Sequence, residues 1–143
     1  MGKRILVPVD GSDQATAASE YVVENFPSAT VVLLHVINPA EAGYTTEASI
    51  PTVSEEWYDE KRDRAGALFD DLEDAARDAG IDDVERVLEV GRPTQAIVDY
   101  ADDHDIDQIV MGSHGRSGMS RILLGSVAET VVRRATVPVT VIR

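Results

Sequence analysis

The chain reads as an α/β protein, a three-layer fold in which an open, mostly parallel five-stranded sheet carries helices on both faces. Three observations predict this. Five short runs rich in valine and isoleucine, at Ile5–Val9, Val31–Ile37, Val84–Val90, Gln108–Met111 and Val137–Ile142, have the near-continuous apolar character of buried strands. The segments between them carry apolar residues at helical spacing, and strands alternating with helices call for crossovers that cover a parallel sheet. A length of 143 residues with 43% hydrophobic content suits one domain with its own core, and no repeat or linker divides the chain.

The elements follow in order. Pro8 lies near the end of the first strand, where a missing ladder donor costs little. The first helix carries Ala15, Ala18, Val22 and Phe26 on one face. Ser12 and Asp13 are both good caps for it, and Asp13 is assigned to the cap. His35, inside the second strand, is expected as a satisfied core histidine. The segment Asn38 to Val53 is longer than ordinary connections and reads as a lid or a mobile loop. A second helix, capped by Ser54, buries Trp57, Ala65, Leu68, Leu72, Ala75 and Ala79, then stops at Gly80, a favourable C′ residue. The third helix opens with Pro93 and buries Ala96, Ile97, Tyr100 and Ala101. Its acidic run Asp99 to Asp105 reads as a solvated face, with His104 a partner for the helix dipole. The last helix begins near Gly125-Ser126 and buries Val127, Ala128, Val131, Val132 and Ala135. Pro138 marks the fifth strand as an edge strand.

Charge narrows the partners. Twenty-six acidic residues against thirteen basic ones give −13, and Lys3 and Lys61 are the only lysines. Such a surface repels polyanions, so nucleic acid is not expected. It suits a salt-adapted, halophilic cytosol, because at about 1 M salt the Debye length is about 3 Å and self-repulsion is screened. No apolar run approaches the roughly 18 residues of a membrane span. The apolar stretch before Pro8 is too short for an export signal, so a cytoplasmic protein with no membrane partner is expected. With no cysteine there is neither a disulfide frame nor a thiolate metal site.

The informative stretch is Gly112-Ser113-His114-Gly115-Arg116-Ser117-Gly118, continuing to Gly125-Ser126. It follows a buried strand and leads into a helix, and ligands of open α/β sheets bind at the carboxyl ends of strands. Glycines there allow backbone N–H groups to approach phosphate oxygens, and the start of the last helix favours an anion. This is neither a Walker A loop, since no lysine follows, nor a dinucleotide fingerprint, which would follow the first strand. Two readings of the glycines stay open at this point: they cradle a phosphate, or they only shape a turn. Arg116 and Arg121 are the nearest cations for a triphosphate, or else they pair with surface carboxylates. His114 could touch a phosphate or be a solvated loop residue. Asp10 is kept for a ligand, a ribose or Mg²⁺.

The spacing Gly-x2-Gly-x9-Gly-Ser resembles the motif of the ATP-binding branch of the universal stress protein family. The opening Ile5-Leu6-Val7-Pro8-Val9-Asp10-Gly11-Ser12, Leu33-Leu34-His35-Val36, Val110-Met111-Gly112-Ser113-His114-Gly115 and Leu123-Leu124-Gly125-Ser126-Val127 are similar to that family's segments. The resemblance implies a Rossmann-like sheet, as in adenine nucleotide alpha hydrolases, with strand order 3-2-1-4-5, so that Asp10 and Gly112 flank one crevice. It places the phosphate contacts on Gly112, Gly115, Gly125 and Ser126. It places the adenosine contacts on Pro8, Val9, Asp10, Val36 and Met111, with Asp10 on the ribose or a metal. The ligand expected is ATP, or ADP or AMP, with Mg²⁺ accompanying it.

The functional expectation is a nucleotide-binding stress-response regulator. It is a homodimer through the last strand, Val137–Ile142, whose alternating valines no lysine guards. An alternative is a slow ATPase or nucleotidyl-transfer enzyme on the same fold, although no residue stands out as the base that hydrolysis needs. A dimer that binds no ligand is disfavoured by the intact glycine motif.

Overall fold

The computed structural model describes residues 2–42, 54–114 and 124–143. In chain order the elements are β1 (Arg4–Pro8), α1 (Asp13–Asn25), β2 (Thr30–Ile37), a 3-10 turn (Pro39–Ala42), α2 (Glu55–Asp78), β3 (Asp83–Val90), α3 (Pro93–Asp103), β4 (Gln108–Gly112), α4 (Ser126–Arg134) and β5 (Val139–Ile142). The five strands form one sheet in the order β3-β2-β1-β4-β5, as expected, and every neighbouring pair is parallel.

Strand alternation divides the core between the two faces of the sheet. Ile5, Val7, Val31 and Leu33 pack with Ala18 and Val22 of α1 and with Phe69 and Leu72 of α2. Leu6, Val32, Leu34 and Ile109 pack with Ile97 and Ala101 of α3 and with Ala128 and Val131 of α4. Burial of the larger of these side chains, at roughly 1.5–3 kcal/mol for each Val, Leu, Ile or Phe, is what makes the apolar strands hold both helical layers.

Several sequence expectations are corrected. Ser12, not Asp13, caps α1: its hydroxyl accepts from the Ala15 amide at 3.1 Å, and Asp13 is already the first helical residue. On α2 the buried stripe is Ala65, Phe69, Leu72 and Ala76, whereas Ala75 and Ala79 are exposed. Spacing of three and four residues fits either set, and packing against the sheet selects the one that buries Phe69. Phe26 is a half-buried C-cap, and Val132 is 47% exposed. β3 is not a buried strand: it lies at the sheet edge with most residues exposed, and its Arg86 reaches Glu73 and Asp70 of α2 at 2.7 Å each.

The stop after α2 has the chemistry the sequence suggests. Gly80 takes φ +101°, its amide donates to Arg77 and the Ile81 amide donates to Ala76, each at 3.0 Å. That double return bond satisfies two carbonyls at the helix end and buries Ile81. β5 begins at Val139, so Pro138 precedes the strand instead of interrupting it. Its carbonyl accepts from Ile109 on β4 at 2.9 Å, and that of Ile142 accepts from Ser113 at 2.7 Å. By alternation Thr140 faces β4 as well, which leaves the backbone groups of Val139 and Val141 on the open edge. Pro138 therefore removes no donor from that edge. Among the described residues no helix is long and apolar enough to cross a membrane.

Candidate functional site

The sheet order reverses at β1, whose chain continuation runs to β2 on one side while β4 lies on the other. A cleft of ≈ 460 Å³ opens there at the carboxyl ends of β1, β2 and β4. It is lined by Pro8, Val9 and Asp10 after β1, by Val36 on β2, by Met111 and Gly112 on β4, and by Gly125 and Ser126 at the start of α4. Those are eight of the ten site residues read from the sequence. The other two, Gly115 and Arg116, lie outside the described residues, as do Gly118 and Arg121.

Local structure sets each of these positions. Asp10 is turned by the cap of α1: its carboxylate accepts from the Ser12 amide at 2.9 Å. Gly11 between them has φ +85°, a conformation that L side chains resist. The ring of His35 comes within 2.7 Å of the Val9 carbonyl through Nδ1. Since a carbonyl only accepts, Nδ1 carries the hydrogen there. His35 is thus satisfied, as expected, but it lines the cleft instead of the deep core.

The end of β4 and the start of α4 are joined by a bond from the Gly125 amide to the Ser113 carbonyl at 2.7 Å. Gly125 is the N-cap of α4, with φ −67° and ψ 162°, and as a glycine it offers no side-chain cap. Among the described residues no side chain is bonded to the first-turn amides, which with the helix dipole favour an anion.

The glycines themselves also have a packing role. A Cβ on Gly112 would sit 2.6 Å from Cβ of Gln14 on α1, and one on Gly125 would lie 3.0 Å from the Ser113 carbonyl oxygen. Gly112 is thus required by close approach to α1 whether or not a ligand is present, and Gly125 is tightly packed against the end of β4.

Sequence reasoning undervalued His114. Far from being a solvated loop residue, it is 5% exposed. Its Nδ1 lies 2.9 Å from the Ser113 hydroxyl, and its Nε2 is buried with no hydrogen-bond partner. Ser113 is also buried and lines the cleft. The signal available in the sequence was the Ser-His pair directly after a buried strand. Ionisable groups with displaced pKa values lie elsewhere. Arg86 and Arg77 hold the Glu73 carboxyl below its ordinary value through hydrogen bonds, and burial raises the Tyr100 hydroxyl. Among the described residues no group of three or more His, Asp or Glu could hold a metal ion.

The comparisons with known proteins converge. The profile of the Universal stress protein family matches residues 1–143. The chain is 32% identical over 158 residues to a universal stress protein of Methanocaldococcus jannaschii, covering 100% of this chain and 96% of that one. The solved structure of that archaeal protein superposes with a TM-score of 0.84, with 99% and 96% of the two chains covered at 33% identity. A universal stress protein from Lactobacillus plantarum gives a TM-score of 0.84 at 32% identity, covering 99% and 97%. One from Archaeoglobus fulgidus, solved in complex with dAMP, gives 0.68 at 26% identity, covering 99% and 98%.

Proposed function

The chain belongs to the universal stress protein family, and from that premise we propose that its cleft binds an adenine nucleotide, ATP foremost, with ADP and AMP as smaller occupants. One observation carries this reading. Among the described residues His114 keeps a buried Nε2 without a partner, beside the N-terminus of α4, whose glycine N-cap offers no side chain. A buried polar atom left unpaired costs free energy that a ligand would recover. When the Ser113 hydroxyl donates to Nδ1, Nε2 carries the hydrogen and is a donor. A ring N–H and a set of helix-end amides together suit phosphate oxygens. The complex of the Archaeoglobus relative with dAMP favours the same class of ligand.

In this reading Gly112, Gly115, Gly125, Ser126 and Arg116 surround the phosphates. Pro8, Val9, Val36 and Met111 supply an apolar wall for the adenine, and Asp10 accepts from the ribose hydroxyls. With ATP, Asp10 is also the protein oxygen available to Mg²⁺, whose remaining ligands would be phosphate oxygens and water. The protein would act as a cytoplasmic regulator in the stress response, reading nucleotide occupancy into a surface of a homodimer. The open edge of β5 is the surface that supports such a dimer, because Val139 and Val141 leave backbone donors and acceptors there for a second copy.

The test has two arms. Acid extraction of purified protein should release an adenine nucleotide, identified by chromatography. Calorimetry of His114→Ala should show ATP affinity reduced about tenfold with adenosine affinity unchanged. Equal ATP affinity in the wild type and the variant, or no ATP binding at millimolar concentration, would sink the assignment.

A further inference from the structure

The main cleft continues into a lobe of ≈ 200 Å³ beneath α2. The two share Asp10, His35, Val36 and Glu41, whereas Gly112, Ser113, Gly125 and Ser126 belong to the main cleft alone. The lobe therefore joins the cleft at its Asp10 end, away from the glycine end. From α2 the lobe is lined by Lys61 and Arg64 with Ala65 and Leu68, and the Glu41 carboxylate lines it as well.

Those two cations are unusual for this chain. Positions 61, 64, 65 and 68 fall on one face of α2, and on that face Ala65 is buried and Leu68 packs against the core. Lys61 thus stands one turn above the apolar stripe, pointing its face of the helix at the strand ends. The arginines of α2, Arg64 of the lobe included, pair with carboxylates on their own helix: Arg62 to Asp59, Arg64 to Glu60 and Arg77 to Glu73, at 2.9, 3.0 and 2.8 Å. Lys61 forms no ion pair among the described residues, and its ammonium lies 5.5 Å from the Trp57 ring centroid, a contact that leaves its N–H donors available. Asp10 is already engaged by the Ser12 amide, which leaves one carboxylate oxygen for a sugar hydroxyl.

We infer that the lobe receives a second phosphoryl group, carried on the 2′ or 3′ oxygen of the ribose whose 5′ phosphate lies at the glycine end. This rests on the proposed nucleotide site and adds to it a preference for nucleoside bisphosphates over nucleotides phosphorylated at 5′ alone. A ribose held at Asp10 presents its remaining hydroxyl oxygen toward the lobe, and a dianion there meets two cations, Lys61 and Arg64, against one carboxylate, Glu41. Arg64 would exchange an exposed partner, Glu60, for the phosphate, a change with little net cost.

The probes are 5′-AMP, adenosine 3′,5′-bisphosphate and adenosine 2′,5′-bisphosphate, titrated by calorimetry into the full chain and into Lys61→Ala/Arg64→Ala. One bisphosphate should bind about tenfold more tightly than 5′-AMP, and which one it is reports the oxygen that faces the lobe. That advantage should vanish in the double variant while its 5′-AMP affinity stays within about twofold of wild type. If 5′-AMP binds and neither bisphosphate binds more tightly, or if the advantage survives in the double variant, the lobe assignment is overturned and the nucleotide site stands. If none of the three binds, the site and the lobe fall together.

Discussion

Gly125 donates its amide hydrogen to the Ser113 carbonyl at 2.7 Å, and a Cβ placed on Gly125 would come within 3.0 Å of that same oxygen. The start of α4 is thus fastened to the end of β4 so closely that a side chain at position 125 would need the Ser113 carbonyl to give by a few tenths of an ångström. A substitution there disturbs the backbone before it disturbs any ligand. Tests of anion binding belong one residue further on.

Ser126 is that residue, the first of α4 and exposed. Ser126→Asp supplies the helix end with its own carboxylate, which stabilises the fold by a few tenths of a kcal/mol to about 1 kcal/mol. The same charge should lower ATP affinity by about tenfold or more, with the melting temperature in the absence of nucleotide unchanged or raised. Calorimetry and a thermal melt on one sample check both; undiminished ATP affinity would remove α4 from the phosphate site.

The proposed dimer should respond to the outward backbone of β5. Val141→Pro deletes one open-edge donor while leaving the bonds of Thr140 and Ile142 to β4 in place. Light scattering should find a dimer for the wild type and a shift toward 15.5 kDa for the variant. A wild-type mass of one chain at micromolar concentration refutes the dimer.

Salt dependence follows from a net charge of −13. Raising KCl from about 0.1 M to about 1 M shortens the Debye length from about 10 Å to about 3 Å and should raise the melting temperature. A melting temperature that does not move with KCl would count against adaptation to a saline interior.

Acid should weaken the fold partly through Glu73. Hydrogen bonds from Arg86 and then Arg77 lower its pKa in the folded state, so its stabilising contribution is complete above the unfolded value of about 4.3. That contribution is lost as pH falls through the lower, folded value. Glu73→Gln should cost about 1 kcal/mol or less at neutral pH, given how exposed both arginines are, and should flatten the acid limb of a melting-temperature profile. An acid limb identical to that of the wild type would exclude Glu73 as a contributor.

The strands and helices were legible because apolar runs and turn residues are local signals, whereas the strand order, and with it the neighbourhood of Asp10 and Gly112, came from the family resemblance carried by the glycine spacing. What escaped was decided by distance in space. The choice of Phe69 over Leu68 as the inward residue of α2 depends on the sheet surface beneath it. Val84 to Val90 reads as a buried strand until its edge position exposes Leu88 and Val90 at 38% and 52%. His114 looked solvated because nothing in its own segment announces that α4 returns to cover it. Lys61 drew no reading from the sequence beyond its being one of two lysines, because only the packing of α2 brings it to the lobe beside Asp10.

The two borders of the sheet are not alike. β3 carries Glu85, Arg86 and Glu89 along eight residues, with charges on both faces, while β5 has only Val139, Thr140, Val141 and Ile142. A chain with two receptive borders could add copies head to tail without limit, each β5 capturing the next β3. The charged border bars that route, since an incoming strand would have to desolvate carboxylates and a guanidinium. Growth has one direction open to it, and the proposed two-fold pairing would use that direction up. The asymmetry between β3 and β5 thus acts against filaments, in a protein whose sheet is otherwise parallel and extendable.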